Sequence, residues 1–87
     1  MDNILINDYL DYNKNFWEVR IVDNGTERLL ARCKEQRDCY REMTIFLKSQ
    51  GINGERIFYH THPCDGYIHI TSTGDYVFHL YEIKKEN

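Results

Sequence analysis

Two stretches of alternating apolar residues, each broken by a glycine-containing turn, recur in this chain at a fixed offset. Val19, Ile21, Gly25 and Leu29 find counterparts at Ile68, Ile70, Gly74 and Phe78, each 49 positions later. A strand buries one face by repeating apolar residues every second position, and a tight turn needs residues that tolerate positive φ. A repeated strand pair therefore commits much of the chain to antiparallel sheet. The second copy is truncated, because only the first pair is followed by a segment of helical period.

In the first pair, Trp17, Val19 and Ile21 alternate with Glu18 and Arg20, and Leu29, Ala31 and Cys33 alternate with Arg28, Arg32 and Lys34. Asp23-Asn24-Gly25-Thr26 between them is a hairpin signal. A three-residue turn pairs Ile21 with Leu29 and Val19 with Ala31, leaving Arg20, Arg28, Arg32 and Lys34 on the opposite face. The period then changes. Over residues 35–50, Cys39, Tyr40, Met43, Phe46 and Leu47 fall at spacings of three and four, which predicts one amphipathic helix. Ile45 lies off that stripe. Glu35 and Asp38 at the start and Lys48 at the end suit the helix dipole. Gly51 is placed as a C-cap, with Ile52 making the accompanying contact.

Beyond the helix, Asn53-Gly54 reads as a turn, residues 56–60 as a strand and Pro63-Cys64-Asp65-Gly66 as a second turn. A last hairpin, residues 67–71 and 76–83, closes around Thr73-Gly74-Asp75. Ile68, Ile70, Phe78 and Leu80 share its core face, and Tyr67, His69, His79 and Tyr81 share the other. Residues 3–12 show no clean period and read as an edge strand or packed arm. The expected fold is α+β: a mainly antiparallel sheet of four to five strands with one helix on one face, in the order β-β-α-β-β-β.

At 87 residues the chain is read as a single small domain, a ββα unit over 16–51 followed by a strand and hairpin over 56–83. It has no run of about 18 apolar residues, so no membrane span is expected. Residues 1–6 carry neither a basic segment nor a long apolar one, so no secretory leader is expected there. Cys33, Cys39 and Cys64 are an odd set without framework spacing, which suits reduced thiols in a cytoplasmic protein. The formal net charge is −3, carried mainly by the two ends, with a mildly basic middle. General electrostatic attraction to a phosphate backbone is therefore weak.

The run Trp17-Glu18-Val19-Arg20-Ile21, then Asn24-Gly25, Arg28 to Lys34 and a helix with Cys39, Tyr40, Met43 and Leu47 inward, resembles the ββα units of AP2-type and integrase N-terminal DNA-binding domains. The resemblance covers residues 16–51, with a half copy at 66–83. It implies an accessory module that lays the exposed face of its first hairpin in the major groove of double-stranded DNA. The contacting positions would be Arg20, Arg28, Arg32 and Glu18. Cys33 and Cys39 depart from the family pattern, which has an aromatic and a small residue there.

A second match is to the JAMM metalloprotease signature: His60-Thr61-His62-Pro63, then Ser72-Thr73-Gly74-Asp75. Two histidines and an aspartate suit zinc. The gap between the halves is longer than in that family, and residues after Asp75 alternate as a strand, so the match is read as coincidental. A metal shared by His69, His79 and His60 or His62 lacks a third ligand fixed by spacing. No phosphate-cradling glycine loop or serine nucleophile elbow occurs. No enzyme activity, cofactor or metal is expected. The alternative to DNA binding is a protein-binding module or small inhibitor, for example of phage type, using Tyr67, His69, His79 and Tyr81 with an acidic surface. The oligomeric state is not legible in the sequence.

Overall fold

The computed structural model describes residues 14–53 and 57–84. The arm or strand expected over residues 3–12 lies outside the described residues. Among the described residues, five strands and one helix follow in the order β1 (Phe16–Asp23), β2 (Thr26–Cys33), α1 (Gln36–Ser49), β3 (Phe58–Cys64), β4 (Tyr67–Ser72) and β5 (Val77–Ile83). The strands form a single antiparallel sheet of order β2-β1-β5-β4-β3. This is the α+β architecture expected. The two hairpins of the sequence repeat, β1-β2 and β4-β5, meet along the β1-β5 seam.

The helix sits where the stripe places it. Cys39, Met43 and Leu47 are fully buried, while Tyr40 and Phe46 flank them half-buried. They share one core with Val19, Ile21, Ala31, Cys33, Ile70, Phe78 and Leu80 from β1, β2, β4 and β5. Edge-on ring contacts stitch the borders: Tyr40 with Phe58, and Phe46 with both Tyr76 and Phe78, at centroid separations of 5.6 to 6.2 Å. Each large side chain taken fully from water contributes about 1.5–3 kcal/mol, so this one layer carries most of the folding drive. Gly51, at φ 84°, ends the helix. Its N–H donates to the Lys48 carbonyl and that of Ile52 to Leu47, both at 3.0 Å, the paired bonds of a Schellman cap.

Two registers differ from the expectation. The first hairpin closes on two residues, Asn24 and Gly25, at φ 52° and 79°, with Asp23 opposite Thr26. This primed turn matches strand twist. Val19 still stands opposite Ala31, but Ile21 faces Arg28 rather than Leu29, because a bulge between the two pairings absorbs one residue of β2. Arg28 thus joins the helix side, and Leu29, 39% exposed, turns away from it. The repeat therefore breaks at Leu29, whose counterpart Phe78 is fully buried.

The second difference is in β3. It runs on through Pro63 to Cys64, and the turn is only Asp65-Gly66, with Cys64 opposite Tyr67. Proline is tolerated because β3 is an outer strand. The last hairpin has the expected three-residue turn, which sets His69 opposite His79.

Candidate functional site

Helix α1 covers one side of the sheet. Among the described residues, no helix or strand packs on the other, called here the open side. Strand register decides which side chains reach it. Glu18 and Arg20 on β1 stand opposite Tyr81 and His79 on β5, and His79 stands opposite His69 on β4. His69 in turn faces His62 on β3, and Thr71 faces His60. All four histidines of the chain therefore lie on one side of the sheet.

The rings form a continuous band. Tyr67 lies 4.4 Å from His79 and 5.5 Å from Tyr81 by ring centroids. His69 lies 5.4 Å from His79 and 6.2 Å from His60, and His60 stacks on His62 at 6.0 Å. Tyr67, His69, His79 and Tyr81 are half-buried, and His60 and His62 are exposed. Thr71 Oγ1 and His69 Nε2 are 3.3 Å apart.

Glu27 anchors one end of this band. Its Oε2 accepts from the Tyr81 hydroxyl and pairs with His79 Nδ1, each at 2.5 Å. The Tyr81 and His79 hydrogen bonds hold the Glu27 carboxyl below its ordinary pKa. The Tyr81 phenol, desolvated and next to that carboxylate, is pushed up to about 12. His69 is held below the usual imidazole value, first by burial and then by His79, His60 and His62. Glu27 was not among the expected site residues. The signal for it was the Asn24-Gly25 dipeptide, whose two-residue turn brings Glu27 onto the same side as His79.

The DNA positions divide. Arg20 and Arg32 do share the open side with Glu18. The Glu18 carboxylate is buried between them, with Arg20 Nε 2.8 Å from one oxygen and Arg32 Nε 2.8 Å from the other. Burial raises the Glu18 pKa, but the bonds from Arg32 and Arg20 overcome it and the net shift is downward. Arg28 stands on the helix side near Ile21, Phe46 and Gln50. The structure therefore corrects the single face of three arginines: two are held by Glu18 and the third lies on the other side.

The metalloprotease signature is also divided. His60 and His62 project from the open side, whereas Ser72 is fully buried on the helix side, its hydroxyl donating to the Thr73 carbonyl at 3.0 Å. Among the described residues no group of three or more His, Cys, Asp or Glu is arranged to hold a metal ion. Cys33 and Cys39 are buried side by side in the core, and the Cys33 sulfur together with burial pushes the Cys39 thiol up. No described helix is long and apolar enough to cross a membrane. No family model, curated protein or solved structure matches the chain.

Proposed function

We propose that this chain is a small protein-binding module that docks its partner on the open side of the sheet, over Tyr67, His69, His79 and Tyr81. The observation that carries the reading is the unbroken ring band across β3, β4 and β5, tied at one end by Glu27. Tyrosine and histidine rings offer large contact areas with few rotatable bonds, and both carry polar tips. Fixing them in advance lowers the entropy lost on association. Aromatic side chains of this kind anchor protein interfaces.

The AP2-type reading draws less support. A sheet laid in a groove needs cations free to reach phosphates and bases. Here Glu18 engages Arg20 and Arg32, Arg28 is on the other side, and the chain is acidic overall.

The two readings separate in one capture experiment. Tagged protein is used on native lysate with and without nuclease, alongside a Tyr67→Ala/His69→Ala variant and an Arg28→Glu/Arg32→Glu variant. The captured protein is then identified and rebound in purified form. The docking reading expects capture that survives nuclease and the arginine reversals and is lost with Tyr67 and His69. Nuclease-sensitive capture, or low-salt duplex binding abolished by the arginine reversals, would return the function to DNA.

A further inference from the structure

We infer that the open side is proton-gated and fits an acidic polypeptide segment laid over His60, His62 and His69. The inference rests on the docking reading for its surface and adds the partner's chemistry and its control. Histidine is the side chain whose charge changes between pH 5 and 8. Four of them on one side of a small sheet make the charge of that side depend on proton concentration.

The fixed charges on the open side offset one another. From β1 come Glu18 and Arg20, and from β2 Arg32 and Glu27, with Glu18 paired to both arginines. From β5 come His79 and Tyr81, both engaged by Glu27. The groups beside the remaining histidines are Cys64 on β3 and Tyr67 and Thr71 on β4. Among the described residues no carboxylate lies within ion-pair distance of His60, His62 or His69, whereas His79 has one. Beyond His79, the described part of the band carries no anion of its own.

Those three imidazoles also crowd one another, at 6.0 Å and 6.2 Å between centroids. His69 is held below the ordinary value first by burial and then by repulsion from its three histidine neighbours. Carboxylates laid across the band relieve that repulsion. Acid therefore favours the acidic segment, and by linkage the segment favours protonation. A nucleic acid is the weaker fit, because it relies on a denser cationic field than a chain of net charge −3 supplies.

The probe is a polyglutamate peptide, titrated into isotope-labelled protein at about pH 5.5 and about pH 7.5, where imidazole charge differs most. Signals of His60, His62, His69 and Tyr67 are followed. Two exposed charge contacts and one half-buried contact predict binding roughly tenfold tighter at the lower pH. His60→Gln with His62→Gln, at two exposed positions that leave the fold intact, removes most of that gain, and His69→Gln removes more. In the native protein the His69 titration midpoint rises when the peptide is present. Equal binding at the two pH values, no binding at either, full binding by the double variant, or tighter binding of a DNA duplex of matched charge would each overturn the inference. A purified partner that binds this side equally at both pH values would sink the gating and leave the docking reading standing. Absence of any captured partner sinks the docking reading, while the peptide titration still decides the gating.

Discussion

Glu27 Oε2 lies 2.5 Å from His79 Nδ1, although their strands are not neighbours. Strand β1 runs between β2 and β5, so this contact spans it and ties the first hairpin to the second across the open side. Tyr81 donates to the same oxygen. One carboxylate thus fixes two rings of the proposed docking surface, and it belongs to the hairpin that contributes none of the rings.

Replacing Glu27 by Ala should loosen both rings. Loss of the shared acceptor at a partly exposed site should cost about 1 kcal/mol in urea unfolding. The phenol titration gives a sharper readout. Tyr81 should ionise at about 12 in the native protein and move down toward the ordinary value near 10 in the variant. Because the folded pKa is the raised one, the associated stability is present below about pH 10 and is lost as pH rises toward 12. An unchanged ultraviolet titration would contradict the Glu27 contact.

The opposite sign holds for His69. Its folded pKa is depressed, so the unfolded chain takes up the proton first as pH falls. Stability should be level above about pH 6.5 and decline below it. Urea midpoints measured from pH 7.5 down to pH 5 should show that decline, and His69→Gln should flatten it.

Within the helix, position decides cost. Met43 is fully buried and Ile45 is 54% exposed. Met43→Ala should lose about 2–5 kcal/mol, while Ile45→Ala should stay within about 0.5 kcal/mol. Comparable losses at both positions would refute the placement of the stripe.

The two glycines of the sequence repeat should respond unequally to alanine. Gly25 and Gly74 both hold positive φ, at 79° and 85°, which costs an L side chain about 1–2 kcal/mol. A Cβ on Gly25 meets nothing within 4 Å, whereas on Gly74 it comes 3.1 Å from Ile52 Cδ1 and from the Tyr76 ring. Gly74→Ala should therefore unfold at lower urea than Gly25→Ala.

Zinc should be absent from purified protein, and a chelator should leave its thermal midpoint unchanged. One zinc per chain, lost on mutating His60 and His62 together, would reverse that expectation.

The helix and its cap were legible because the stripe through Cys39, Met43 and Leu47 and the Gly51-Ile52 ending agree with one another. The His69–His79 pairing followed from Thr73-Gly74-Asp75. What stayed hidden was the phase of β2. Leu29 and Leu30 are adjacent, so either can serve as the core residue, and alternation alone does not reveal that one is extra. The Asn24-Gly25 dipeptide favours a two-residue turn. Taking that turn shifts Glu27 and Leu29 to the open side and Arg28 to the other, as observed. The reach of β3 was hidden for a different reason: Pro63 reads as a stop in a central strand, but not in an outer one.

Both outer strands of the sheet are irregular. β2 carries its bulge near Leu30, and β3 has a register shift between Phe58 and His60 and a proline without an N–H. Regular edges template further strands, and broken ones resist it. Lateral growth of the described sheet by added copies is thereby discouraged at each rim, and the proposed docking mode leaves an approaching chain the broad ring-covered side on which to settle.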